Sequence, residues 1–492
     1  LSPRLRSYAA IGAATLVPLA IYVASARTGV SFWDTGDLQT VPYMLGIPYP
    51  TGFPGYVLIG WVWSHAFAVG SVAWRLNLLA ALATAAASGA LAASLIVIGV
   101  LDVVALAGAL AFAFSQIVWE RATYVDAHRI AFGIALVGLA FALRWRRDGR
   151  PHDVRWSALA AALALAIDDA AVLLLPALAI VLWGRPLEAR RALVLGAGCA
   201  LLVAATYAYL PIRSAIVTAE RADPTLALGI PPGRPFWDDH HPASLSGFVR
   251  LVAGTDFAPH AAAAEMISAR ALLRVARDAG PPLRRDYGAL GLVLAVAGFV
   301  VAYRREPRVL AAACAFGLVP LLFVVSYGAE ADSARYYAPA YAAVALLAAY
   351  GASAILTALP PLVAAASAIA GAVAFAALLA TDAGENAGLF AQRDNRDAAA
   401  FADRVVAKTP ADAIVVAPWA YAPALAYRAY VEHGFGRRIL VTAWPSDVAG
   451  ELAGWLRERP VILVGAPEGG IAQHTQPVDI GDPVLARVEA GR

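Results

Sequence analysis

Phe32-Trp33-Asp34-Thr35-Gly36-Asp37-Leu38, with Gly46-Ile47-Pro48-Tyr49-Pro50-Thr51-Gly52-Phe53-Pro54-Gly55 behind it, decides how this chain reads. Two carboxylates stand where the first apolar run, residues 8–24, hands over to water. The Pro- and Gly-rich segment after them cannot continue as an ordinary helix. Acids at a membrane boundary beside irregular backbone point to a site facing one side of a bilayer.

The surrounding sequence supplies the bilayer. Hydrophobic residues make up 60% of the chain and charged ones 15%, where a soluble protein carries roughly 25% charged. Mean hydropathy is +0.65. Apolar runs recur at 8–24, 76–99, 103–118, 130–145, 156–183, 192–210, 287–303, 309–326, 336–356 and 362–380. This predicts a mainly α, polytopic helical membrane protein, with the first run retained as a helix. The net charge of +3 is small, and arginines cluster between the runs. That pattern is topological and excludes a nucleic-acid surface. Cys199 and Cys314 lie inside apolar runs, which argues against a disulfide framework or thiolate metal site.

Charge then orients the spans. The clusters at Arg4/Arg6, Arg144–Arg150, Arg185–Arg191 and Arg304–Arg308 belong in the cytoplasm. All fall there if 53–69 only dips into the outer leaflet and if 156–183 is two spans meeting at Asp168. The expectation is about eleven spans plus a re-entrant segment. Asp34, 124–128, Asp168, 211–286, 328–335 and the C-terminal part then face outward. Residues 1–381 form the membrane domain, with a first outer loop at 27–75 and a long one at 211–286. Residues 382–492 change character: short apolar stretches at 413–417, 438–443 and 461–465 alternate with helix-like segments, predicting a small extracytoplasmic α/β domain.

Asp34 and Asp37, three residues apart, share a face if the segment is helical. Either they are a solvated pair at a helix end, or one serves as general base for an acceptor hydroxyl. Tyr124, Asp126 and His128 gather at the outer end of a span, near Glu120. Asp168 and Asp169 lie between two apolar half-spans and must face water or a cavity. Arg213 and Arg335 flank spans on the side where arginine is disfavoured, so each is a candidate for a lipid phosphate; the alternative is pairing with Asp223, Glu330 or Asp332. Asp238-Asp239-His240-His241 has the composition of a metal patch without its spacing, and reads as an exposed loop. No P-loop, dinucleotide fingerprint or His-Glu-x-x-His motif occurs.

Several of these segments together resemble a bacterial polytopic family related to the eukaryotic transmembrane O-mannosyltransferase that acts on plexin-type domains. The resemblance rests on Trp33-Asp34-Thr35-Gly36-Asp37, Leu45–Pro54, Tyr207–Ser214, Arg335-Tyr336-Tyr337-Ala338-Pro339 and Arg393-Asp394-Asn395-Arg396, scattered in order over most of the chain. It implies a GT-C glycosyltransferase fold and a polyprenyl-phosphate sugar as donor. By position Asp34 takes the family aspartate and Asp37 the family glutamate. Tyr49 stands where the family usually has histidine, its Glu-Val-Tyr glutamate is unmatched before Tyr124, and its Asn-His pair is Asp168-Asp169 here.

The combined expectation is an inverting membrane glycosyltransferase, O-mannosyltransferase-like, in the bacterial cytoplasmic (inner) membrane with its site toward the periplasm. Asp34 and Asp37 are the catalytic candidates, Arg335 and Arg213 meet the donor phosphate, and Tyr49, Tyr124, Asp126, His128, Asp168 and Tyr336 line the substrate. Donor lipid, a protein or glycan acceptor and membrane lipids are the partners; no nucleotide or redox cofactor is called for, and whether the second acid of the pair orients the first or holds a divalent metal is left open. A non-catalytic scaffold or transporter is the alternative. The absence of an evident internal repeat and the gathering of polar groups at outer helix ends count against transport.

Overall fold

The computed structural model describes residues 2–229, 236–256, 268–327, 334–465, 475–478 and 485–488. Contacts divide the chain into two compact units: Leu1–Ala26, Leu78–Ala205 and Phe257–Gln392 form one, and Arg27–Asn77, Thr206–Asp256 and Arg393–Arg492 the other. The expected domain boundary at 381/382 falls inside the helix Pro361–Glu385. The sheet-bearing C-terminal segment shares its unit with the first outer loop and part of the long one, because both loops carry aromatic residues that bury against it.

The first unit is helical. Among the described residues of the whole chain, eight helices are long and apolar enough to cross a bilayer, and the bent pair Asp102–Phe114 and Gln116–Ala122 makes a ninth if it acts as one span. The chain is a multi-pass membrane protein. The count falls below the expected eleven for a physical reason. Run 156–183 breaks at Asp168 into the helix Pro151–Ile167 and a 3-10 turn Asp169–Leu174 that continues as Leu175–Leu182. Neither half reaches the ~20 residues needed for a hydrocarbon core. Within this unit the helices Ala269–Arg305 and Ala338–Ala358 meet backbone to backbone. Gly298 and Gly351 face each other there, and a Cβ on either would strike the opposite main chain. The core around Leu91, Phe112, Phe132, Leu136, Phe316 and Tyr341 closes the bundle.

The second unit holds a five-stranded sheet of order β2-β1-β3-β5-β4. Its strands are β1 (Ile414–Ala417), β2 (Ile439–Thr442), β3 (Val461–Val464), β4 (Thr475–Val478) and β5 (Leu485–Val488). β1 pairs in parallel with β2 and β3, in register Ile414 to Ile439 and Ile414 to Val461. β5 pairs antiparallel with β3 and β4. The three apolar stretches named from sequence are the parallel strands; β1 and β3 are fully buried and apolar throughout, and β2 is buried but for the half-exposed Thr442 at its end. β4 is a half-exposed edge and carried no such signal. The same unit contains the helix Pro54–Ala66, whose 13 residues span about 20 Å, short of a bilayer core.

Candidate functional sites

In the second unit, Asp34 and Asp37 lie on the helix Trp33–Thr40. An acid in the first turn suits the positive end of a helix. Trp33 enters in the left-handed region at φ 56°. Gly36 is required: a Cβ there would strike the Ser31 carbonyl and lie 2.9 Å from the Pro423 side chain. The two carboxylates part company. Asp34 is half-buried, and its Oδ1 accepts a hydrogen bond from Trp419 Nε1 at 2.8 Å. Asp37 is wholly buried. Its Oδ2 accepts from the Tyr49 amide at 3.4 Å, while Oδ1 has no hydrogen-bond partner among the described residues. Burial pushes the Asp37 carboxyl well above the usual carboxylate range; the Tyr49 N–H opposes this, and the charges of Asp239 and Asp34 add to it.

The helix is braced from below. Gln39 Nε2 donates to Asn77 Oδ1 at 2.9 Å, Asn77 Nδ2 donates to the Arg27 carbonyl at 2.8 Å, and Gln39 Oε1 accepts from the Ser31 amide at 2.7 Å. The segment behind it, 45–53, is irregular, with Leu45, Gly52 and Phe53 all at positive φ. Its carbonyls are met by side chains. Arg213 Nε donates to the Leu45 carbonyl at 2.6 Å and Nη2 to Met44 at 3.4 Å, and Tyr209 Oη donates to Gly46 at 3.0 Å. Arg213, expected at a donor phosphate, thus directs its guanidinium at loop backbone. Tyr49 packs edge-on against Phe53 and Trp419.

The Asp238–His241 stretch is not the exposed loop expected. Ile47 bridges to Asp238 and its amide donates to the Trp237 carbonyl at 2.7 Å, which draws the stretch inward. Asp238 is buried and pairs with His241 Nδ1 at 2.9 Å, and the same nitrogen lies 3.1 Å from Ser214 Oγ. Both contacts use one ring nitrogen, so the three residues are not arranged as a nucleophilic triad.

A second polar cluster lies in the first unit. Asp126 caps the helix Ala127–Asp148: its Oδ1 accepts from the His128 amide at 2.9 Å, and Arg121 approaches its Oδ2 at 3.9 Å. Burial works against the Asp126 charge, but His128, Arg335, Arg121 and Arg129 outweigh it and hold the carboxyl below its usual range. His128 Nδ1 meets Asp168 Oδ2 at 2.5 Å, and Asp168 Oδ1 caps the following turn through the Ala170 amide at 3.1 Å. The His128 ring packs 5.0 Å from that of Tyr336, which neighbours Arg335. Tyr124 is nearly buried, with the Arg121 guanidinium over its ring at 5.6 Å. The structure therefore brings Tyr124, Asp126, His128, Asp168, Arg335 and Tyr336 into one neighbourhood. Glu330 and Asp332, the alternative partners for Arg335, lie outside the described residues.

Arg129 belongs to this cluster and was not singled out from sequence. It is 1% exposed, and none of its guanidinium nitrogens has a hydrogen-bond partner among the described residues; Phe132 lies 5.9 Å beneath it. The Arg129 charge faces the nearby Asp126 carboxylate without a hydrogen bond, and buried donors left unused in this way make it a candidate for an anion. Trp419, Gln39 and Asn77 were missed as well.

Comparison with known proteins adds to this geometry. Residues 34–190 match the family model described as the Protein O-mannosyl-transferase TMEM260 N-terminal domain. Over 118 residues, 23% of this chain, the sequence is 35% identical to the mouse (Mus musculus) Protein O-mannosyl-transferase TMEM260; the match covers 16% of that protein's length. Among solved structures, ArnT from Cupriavidus metallidurans in the apo state aligns with a TM-score of 0.52 at 14% identity, covering 97% of either chain. The same enzyme bound to undecaprenyl phosphate aligns equally, over 96% of this chain and 97% of that one. The Archaeoglobus fulgidus oligosaccharyltransferase, tethered to an acceptor peptide containing the NVT sequon, aligns with a TM-score of 0.51 at 13% identity, over 92% of this chain and 68% of that one. The fold is of the GT-C type, a helical membrane bundle with a small C-terminal sheet.

Proposed function

We propose that this chain is an inverting membrane glycosyltransferase that moves a sugar from a polyprenyl-phosphate donor to an acceptor hydroxyl on the extracytoplasmic side of the cytoplasmic membrane. The observation that carries this reading is that one matched stretch, 34–190, holds both the Asp34/Asp37 pair and the Tyr124–Asp168 cluster, on a fold of GT-C type. The relative's name makes a mannosyl unit the first candidate for the sugar.

In this reading the half-buried Asp34 takes the proton of the acceptor hydroxyl as its oxygen attacks the anomeric carbon. The bond from that carbon to the phosphate oxygen breaks on the opposite face, and polyprenyl phosphate leaves. Its charge is met by arginine, which suits phosphate by its planar fork. Within the membrane-helix unit, Arg335 keeps the role expected of it, and Arg129 is a second candidate there because its guanidinium nitrogens have no hydrogen-bond partner among the described residues. Arg213 instead shapes the loop at Leu45. Asp37 is too buried to meet an acceptor and supports Tyr49 from within. No nucleotide or redox group is needed for these steps.

The test is turnover by the purified protein in nanodiscs, given undecaprenyl-phosphate mannose and an envelope protein fraction. Release of undecaprenyl phosphate with mannose transfer is expected, and Asp34→Asn should lower both by about 10²–10⁴-fold. Wild-type protein that transfers nothing from any polyprenyl-phosphate sugar, while remaining folded, leaves the scaffold reading in its place.

A further inference from the structure

The loop leaving β1 in the C-terminal sheet reaches the candidate base directly. β1 pairs with β2 on one side and β3 on the other, both in parallel, so the strand order reverses at β1. The crevice at the carboxyl ends of strands beside such a reversal is where open α/β sheets bind their ligands. Here the loop after β1 carries Trp419, Ala420 and Tyr421. The Pro418 carbonyl accepts from the Tyr421 and Ala422 amides at 2.9 and 3.0 Å, fixing its shape.

This loop grips the start of the Asp34 helix at several points. The Trp33 amide donates to the Ala420 carbonyl at 3.3 Å. Phe32 meets Tyr421 edge-on with centroids 5.9 Å apart. Gly36 admits Pro423 only because it lacks a Cβ. The Trp419 indole is itself held, edge-on to Tyr49 at 5.7 Å and stacked with Phe236 at 6.3 Å. From that position its Nε1 donates to Asp34 Oδ1 at 2.8 Å. An indole N–H can only donate, so the bond is directional, and it is stronger to a carboxylate than to a neutral acceptor.

We infer that Trp419 is a positioning residue that orients the Asp34 carboxylate for proton abstraction, which makes the C-terminal sheet domain a working part of the transfer site. The inference rests on the glycosyltransferase reading of Asp34. Aligned geometry at a base is worth a large factor in rate, since small misplacements cost about a hundredfold. The effect belongs in the chemical step, because Trp419 acts through Asp34.

Two measurements on the full chain test it. Trp419→Phe keeps a ring between Tyr49 and Phe236 but removes the donor. With undecaprenyl-phosphate mannose, its kcat should fall about tenfold to a hundredfold while the donor KM stays within about twofold. In protein labelled with 15N at its indoles, the resonance lost in Trp419→Phe should be the one displaced in Asp34→Asn. Unimpaired kcat in Trp419→Phe, beside an Asp34→Asn slowed as expected, overturns the inference and leaves the glycosyltransferase reading standing. A Trp419 resonance unmoved by Asp34→Asn overturns it too. Full turnover in Asp34→Asn overturns both.

Discussion

Asp37 pays for its position in stability. Its folded-state pKa lies well above the ordinary value, raised chiefly by burial. The folded protein therefore holds a proton that the unfolded chain releases near pH 4. Between those two pKa values stability falls as pH rises, because the folded state binds more protons. Asp37→Asn keeps the shape and removes the titration. It should melt higher than wild type, with the gap widening from pH 5 upward, and a thermal-shift series across that range would show it; a flat difference would mean Asp37 is not buried in the protonated form. Asp34→Asn should leave melting almost unchanged and lower transfer by about 10²–10⁴-fold, the usual share of a general base. The arginines separate in the same way. Arg129→Lys and Arg335→Lys keep the charge but lose the fork, and the Ala variants lose both. Affinity for undecaprenyl phosphate should therefore fall from Arg to Lys to Ala at these positions. Arg213→Ala should leave it near wild type, because that guanidinium serves the carbonyls of Leu45 and Met44. Equal losses at all three positions would return Arg213 to the phosphate.

Elements show which parts of this site a reader of the sequence could reach. The placement of Asp34 and Asp37 at a span's end was legible because two acids and a glycine interrupt apolar sequence there, whereas the helix Trp33–Thr40 itself was only one of the conformations left open. What holds Asp34 was not legible, since its donor Trp419 lies 385 residues away. Arg129 escaped notice because it sits on the seam: the apolar run was taken to begin at Ile130, although the helix begins at Ala127. The break at Asp168 was legible, because paired acids cannot stay in hydrocarbon. Its partner His128 became visible only once the two helix ends met. The Asp238–His241 stretch misled because polar composition says nothing of the Ile47 bridge that buries it. One element offers a sharp test of close packing. Gly36→Ala places a methyl against the Ser31 carbonyl and the Pro423 side chain, and overpacking of this kind costs about 1–3 kcal/mol. It should lower the melting temperature and impair transfer together, whereas Gly12→Ala, with open space around it, should do neither. Equal tolerance of both would mean that the helix does not seat against Pro423.

At the scale of the whole molecule, each unit has its own interior, and only one of them depends on the C-terminal segment. The membrane bundle closes around Leu91, Phe112, Phe132 and Tyr341, all contributed before Arg393. The other unit is assembled from three distant stretches of chain. In it the Thr28 amide and hydroxyl both bond the Arg393 carbonyl, at 2.8 and 2.9 Å. The Ala73 amide donates to Tyr427 Oη at 3.1 Å, and Phe32 lies between Phe401 and Tyr421. Arg213, Tyr209 and Trp237 hold the stretch 44–47 independently, but the N-terminal end of the helix Trp33–Thr40, which has only 8 residues and would be marginal alone, leans on the C-terminal segment through Ala420 and Tyr421. A chain truncated after Gln392 should therefore keep its membrane bundle and lose order around Trp33–Thr40. Hydrogen exchange in nanodiscs would read this directly. Amides of Ala127–Asp148 and Ala338–Ala358 should stay protected, while those of Trp33–Thr40 should exchange freely. Such a protein should still bind undecaprenyl phosphate through Arg129 and Arg335, yet transfer no sugar. Protection of Trp33–Thr40 that survives the truncation would show that the first outer loop folds without the sheet domain, and would remove the physical basis for coupling that domain to Asp34.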